Sequence, residues 1–162
     1  MSKRSWSEVA PDTEEVWRQL SHELLDEIRQ ADEEVLAAQR SRISPEIAVK
    51  IEEATYSLRN RFRYWEEMVR GLENNWFPRD RYFVDEYVNN LDSRDGIDRV
   101  LAALPMEVGI ALRPLLYKLD QRFLRYTTPD GGAELQPWVA RLREGVQLTE
   151  RWYRKPLLIP WC

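Results

Sequence analysis

Residues 44–72 read SPEIAVKIEEATYSLRNRFRYWEEMVRGL. The apolar positions are Ile47, Ile51, Ala54, Leu58, Phe62, Trp65, Val69 and Leu72, separated by three or four residues throughout. At 100° per residue they fall inside an arc of about 80°, the pattern of a helix with one buried face. Their mean spacing of about 3.57 matches a nearly straight helix rather than a long supercoil. Ser44 suits the N-cap, and Pro45 suits the first helical position, where a missing N–H costs nothing. The sequence therefore predicts one unbroken rod over 45–72, about 42 Å long at 1.5 Å per residue, as the spine of an all-α domain.

Working outward, residues 1–11 read as a flexible arm and 12–162 as a single helical domain. Asp12 and Glu15 have capping-box spacing. A first helix from about Thr13 to Ala38 carries Val16, Trp17, Leu20, Leu24, Ile28, Ala31 and Val35 on one side. Beyond the spine, Asn74-Asn75 ends the rod, and Trp76-Phe77-Pro78 forms a turn. A third helix then follows with Phe83, Val84, Tyr87, Val88 and Leu91. Asp92-Ser93 reads as the cap of a further short helix that closes at Pro105. Met106 to Tyr126 has a helical pattern in which Pro114 predicts a kink or break, since it removes a ladder hydrogen bond and collides with the preceding turn. Pro129-Asp130-Gly131-Gly132 is a turn or mobile loop, and Trp138 to Glu144 a last short helix. The remaining residues form an extended, aromatic tail that wraps the bundle. No strand pattern is evident. The expectation is an irregular helical bundle of five to seven helices around one long one.

Composition narrows the chemistry. With 162 residues, 43% hydrophobic and 32% charged, the chain is long enough for one globular domain with a core of its own. No apolar run approaches the ~18–20 residues that cross a bilayer, and no basic start leads into an apolar stretch, so neither a membrane segment nor a signal peptide is expected. The single Cys162 excludes an internal disulfide and a cysteine zinc site, and the cytoplasm is the expected compartment. A net charge of −4 argues against a general nucleic-acid surface. His22 is the only histidine, which is too few for a carboxylate-bridged di-iron bundle. There is no G-x-S-x-G elbow, and Gly131-Gly132 follows no strand that would make a phosphate-cradling loop. Asp92, Asp95 and Asp98 could supply oxygen ligands to magnesium, but the same acids suit the start of a helix, where they complement its dipole. No catalytic residue, metal or cofactor is therefore expected.

Charge runs along the chain. Residues 13–38 hold eight acids and two bases, whereas 137–162 hold five bases and two acids. The acidic helix offers Glu23, Asp26 and Glu33 to a basic protein partner, whose complementary field would speed association; alternatively it is a solvated face, or the dock of the basic tail. On the spine, Arg59, Arg63 and Arg70 lie with Tyr56 opposite the apolar stripe. They form either a recognition patch or a surface laced with pairs such as Glu66 with Arg70. Arg61, at the edge of the apolar arc, calls for a buried acidic partner. Trp76, Phe77 and Tyr82, at a helix junction, are either core or an exposed anchor.

Leu119-Asp120, Arg122-Phe123 and Thr127 form an L-D-x-R-F-x-x-x-T pattern, and Trp152-Tyr153-Arg154-Lys155-Pro156 is an aromatic pair before a basic-Pro segment. Over about residues 87–156 the chain resembles small uncharacterised bacterial helical proteins with these features, some of them suspected to be toxin-immunity proteins. The resemblance implies a binding protein and assigns no site. Read physically, Asp120, Arg122 and Thr127 are polar ties between the penultimate helix and the tail. Three readings follow: a non-enzymatic protein-binding module of the immunity-inhibitor kind, a small-ligand protein or enzyme with an aromatic and arginine-lined pocket between helices, and a homodimer built on the spine.

Overall fold

The computed structural model describes residues 5–50, 56–76, 82–139 and 148–161. It is an all-α bundle. Among the described residues the order is α1 (Trp6–Val9), α2 (Pro11–Gln19), α3 (His22–Arg40), α4 (Pro45–Ala48), α5 (Leu58–Glu73), α6 (Val84–Ala103), α7 (Met106–Arg125), β1 (Thr127–Pro129), α8 (Gln136–Val139), a 3₁₀ turn (Glu150–Tyr153) and β2 (Arg154–Pro156). Five of the helices, α2, α3, α5, α6 and α7, run nine residues or more.

The spine is shorter than its periodicity predicts. α5 buries Leu58, Phe62, Trp65, Val69 and Leu72, the C-terminal part of the expected stripe. The rod is split before it, however. Ser57 is extended at ψ 154° and its hydroxyl accepts from the Asn60 N–H at 3.2 Å. The Leu58 N–H donates to Asp32 Oδ1 at 2.9 Å. Two side chains thus satisfy amides that a continuing helix would have bonded internally, and that local alternative ends the helix. Ile47 is 55% exposed and lies outside the core; Ile51 and Ala54 lie outside the described residues.

Three further expectations need correction for the same kind of reason. The arm forms the helical turn α1, with Val9 and Ala10 buried and the Trp6 ring 5.4 Å from that of Tyr64; residues 1–4 lie outside the described residues. The first long helix is two, because Ser21 is extended and caps α3 through the Leu24 N–H. Asp92-Ser93 is no cap: α6 passes straight through it, since Ser93 and Arg94 are buried and Arg94 reaches Asp120 on α7.

α5 is held between α6 and α7. Tyr87, Leu91, Ile97 and Leu101 of α6 and Val108, Leu112, Leu119 and Phe123 of α7 close over Phe62, Trp65 and Met68. At the centre, Arg94 grips Asp120 with two nitrogens at 2.8 and 2.6 Å, and Trp65 Nε1 donates to the same carboxylate at 3.0 Å. One polar knot therefore ties three helices, with forked, charge-assisted geometry. α7 continues through Pro114, which is exposed. After α5, Asn75 (φ 52°) and Trp76 (φ 63°) turn the chain in the left-handed region. Trp76 is held there by stacking on Tyr82 at 4.2 Å and by donating Nε1 to the Leu158 carbonyl.

The tail does pack on the bundle, but not as simple extended chain. Thr127–Pro129 pairs antiparallel with Arg154–Pro156, a ladder that the sequence pattern does not announce. Arg154 Nε donates to Thr127 Oγ1, which donates in turn to the Phe123 carbonyl. Trp152 Nε1 and Thr149 Oγ1 both donate to Asp95. Thr149, Arg151 and Trp152 of the tail thus dock on α6. Of the predicted last helix, Trp138 and Val139 are helical, in an element that begins two residues earlier at Gln136, and 140–144 lie outside the described residues.

Candidate functional site

A cleft of about 630 Å³ opens between α3 and the start of α5. Trp17, Leu25, Ile28 and Leu36 form its apolar part, and Arg29, Asp32, Glu33, Arg40 and Arg59 its charged margin. The break at Ser57 creates this geometry. Asp32 holds the first amide of α5, which fixes Ser57 and Arg59 opposite the middle of α3. Helix capping chemistry, placed between two helices, thereby sets the width of the opening.

The arginines expected on an outer recognition face are turned to internal use. Arg63 Nε donates to Glu14 Oε1 at 2.6 Å, its side chain is 12% exposed, and its guanidinium stacks on Trp6 at 5.2 Å. Arg59 pairs with the other oxygen of Glu14. Burial alone would raise the Glu14 carboxyl, but its bonds to Arg63 and Arg59 win and hold it below the ordinary glutamate value. Arg70 pairs with Asp12 and with Glu66, the latter fully buried. Glu66 also accepts from the backbone N–H groups of Asp12 and Thr13, so it caps the first turn of α2 from another helix. Helices α1 and α2 therefore cover the face of α5 that the sequence leaves outward. Arg61 lies against Tyr56, with its guanidinium 5.1 Å from the ring, and burial lowers its proton affinity. Its Nη1 is buried without a hydrogen-bond partner, so the expected acidic mate is not found among the described residues.

The remaining candidates divide. Glu33 and Arg59 line the cleft. Arg29 joins Glu33 to Asp26, at 3.1 and 3.3 Å, and those two bonds raise its own proton affinity. Glu23 is exposed nearer the start of α3 and does not line the opening. Tyr56 is 44% exposed. Trp76 is buried, and Tyr82 lies beside it with its hydroxyl accepting from Asn90; these are core, and Phe77 lies outside the described residues. Trp17 and Ile28 are legible in the sequence only as core stripe, and Leu25, Leu36, Ala37 and Arg40 are not singled out there. Leu25 and Leu36 form a second apolar row beside the main stripe of α3, a signal that a wider arc would have caught.

Asp95 and Asp98 share the Arg151 guanidinium, at 3.3 and 3.5 Å, and Asp92 stands apart from them. Asp95 takes its bonds from Trp152, Thr149 and Arg151, Asp98 pairs with Arg94, and Asp92 faces Arg99 at 4.0 Å. Among the described residues no group of three or more His, Cys, Asp or Glu is placed to hold a metal, and no helix is long and apolar enough to cross a membrane. Arg122 bonds Glu73 and Asp12, and so ties α7 to α5 and α2 rather than to the tail. Comparison of the chain with protein-family models, curated proteins and solved structures found no match to any of them.

Proposed function

We propose that this chain is a non-catalytic protein-binding module of the immunity-inhibitor kind, acting in the cytoplasm, whose cleft between α3 and α5 receives a basic amphipathic segment of a partner protein. The cleft carries this reading: its apolar part is Trp17, Leu25, Ile28 and Leu36, its margin on α3 sets Asp32 and Glu33 among Arg29 and Arg40, and further acids of α3 (Glu23, Asp26, Glu34) stand exposed beside it. An amphipathic helix lays its apolar face into such a groove, and basic residues on its flanks would meet Glu33, Asp26 and the exposed acids of α3. The resemblance of residues 87–156 to suspected immunity proteins supports the same class. A full interface of about 800 Å² per partner would extend beyond the cleft along α3.

Ala37 is exposed and lines the opening, so Ala37→Trp fills it without touching the core. Affinity capture from the native host at low salt should retain one basic protein at near-stoichiometric amounts with the wild-type chain and lose it with Ala37→Trp, both chains having the same circular dichroism. Capture by both chains, or by neither, overturns the proposal.

A second reading has its own support. The volume lies within the roughly 300–1,000 Å³ of small-molecule sites, and Arg29, Arg40 and Arg59 stand on the margin. A small anionic ligand would then raise the melting temperature saturably, and Arg59→Ala would abolish the rise. A library of carboxylates and phosphates that gives no saturable shift removes it.

A further inference from the structure

α7 carries an apolar stripe that faces solvent. Met106, Ile110, Tyr117 and Leu124 are 76%, 66%, 68% and 42% exposed. At 100° per residue these four fall within an arc of about 40°. They run along roughly 27 Å of helix at 1.5 Å per residue. The opposite side of the same helix supplies Val108, Leu112, Leu119 and Phe123 to the core. α7 is therefore apolar on two sides, of which the fold covers one. Scattered single apolar residues on a surface need no explanation, but an aligned row of four does.

The charges beside the stripe point to what covers it. Glu107 follows Met106, and Arg125 follows Leu124, so both lie on the same flank, five full turns apart at opposite ends of the helix. Each sign suits its own helix end, which accounts for the residue type. The matching flank needs a different reason, and neither side chain has an ion-pair partner among the described residues. When two copies of one helix pack antiparallel about a two-fold axis, like flanks meet. With the axis at residue 115, Met106 lies opposite Leu124 of the partner subunit at both ends, and Glu107 comes within two residues, about 3 Å of helix, of the level of Arg125 of the partner subunit, inside side-chain reach. Near the axis Arg113 comes level with Tyr117 of the partner subunit, a cation over an aromatic ring. Parallel pairing about a two-fold axis sends like flanks to opposite edges of the interface, so the contacts between Glu107 and Arg125 of the partner subunit form in the antiparallel arrangement and not in the parallel one.

We propose that the chain forms an isologous dimer through the α7 stripe, with the two α7 helices antiparallel. This surface is separate from the cleft between α3 and α5. Two-fold, self-complementary patches are the commonest route to a soluble oligomer, and this one is small, so the dimer is concentration-dependent.

Sedimentation velocity over a concentration series up to about 1 mM, the reach of weak specific contacts, tests it. The wild-type chain should move from monomer to dimer, and Ile110→Asp should stay monomeric with unchanged circular dichroism. Glu107→Arg alone and Arg125→Glu alone should each weaken the dimer by about tenfold or more, because each makes both end contacts repulsive. An equimolar mixture of those two variants should dimerise again, since two arginines at the helix ends of one copy would meet two glutamates at those of the other. A wild-type chain that is monomeric throughout overturns the proposal, as does a dimer that survives Ile110→Asp. A mixture that does not recover overturns the antiparallel register.

Discussion

Replacing Glu66 by leucine would take the acceptor from four donors at once. The carboxylate is fully buried and accepts from the Thr13 N–H at 2.7 Å, the Thr13 hydroxyl at 2.8 Å, the Asp12 N–H at 3.1 Å and Arg70 Nε at 2.7 Å. Arg70 is 26% exposed and already reaches Asp12, so it can turn to Asp12 and water. Thr13 is fully buried and has no such choice. An orphaned buried donor costs about 1–3 kcal/mol, and Thr13 would carry two. Loss of one member of a buried ionic group costs about 3–5 kcal/mol, and we expect Glu66→Leu to fall in that range. In a chain of this size that lowers the melting temperature by roughly 6–20 °C. Glu66→Gln keeps the shape and one acceptor but sets an amide N–H₂ against the remaining donors; about 1–3 kcal/mol follows. Adding Thr13→Val to Glu66→Leu removes the stranded hydroxyl and should recover part of the loss. Urea unfolding with matched slopes measures these differences, and hydrogen exchange at the Asp12 and Thr13 amides reports the local event. If Glu66→Leu costs under about 1 kcal/mol, or leaves those two amides protected, Glu66 is not the cap of α2 and the attachment of α1 and α2 to the spine must be explained otherwise.

Further outcomes follow from the polar contacts elsewhere. Because Arg63 and Arg59 depress the Glu14 carboxyl, its contribution to stability is complete above the ordinary glutamate value of 4.5 and is lost as pH falls through the lowered one; Glu14→Gln should flatten the acid limb of a stability-against-pH curve, and an unchanged limb contradicts the pairing. Tyr87 is fully buried, with a hydroxyl that has no hydrogen-bond partner among the described residues, and burial raises its proton affinity. Tyr87→Phe should be neutral or stabilising by up to about 1–2 kcal/mol, and a loss of stability would reveal a hidden partner. Asp95→Ala should release the Trp152 indole and Thr149, at a cost of about 2–3 kcal/mol for hydrogen bonds to a charged group. Red-shifted tryptophan emission and faster proteolysis after residue 148 would report it, and unchanged emission would show that the tail is held by packing alone.

By itself the sequence determined the fold class and most of the core. Leu58, Phe62, Trp65, Val69 and Leu72 are buried because helical periodicity is a local property: spacing alone decides which side chains share a face. It also located two residues of the cleft margin, Glu33 and Arg59, through charge. The tertiary structure decided where helices stop and what their polar residues do. Ser57 caps α5 only because Asp32, on a separate helix, is there to take the neighbouring amide; along the chain the stripe runs on without a mark. Ser93 looks like a cap and is buried in mid-helix because Arg94 must reach Asp120. The arginines of the spine looked outward because nothing local says that Glu14 and Asp12, some fifty residues earlier, fold over them. The cleft was invisible for the same reason: its walls are distant segments whose approach is set by a few capping and ion-pair contacts. Such contacts contribute little to any local pattern, and their partners are chosen only when the chain has folded.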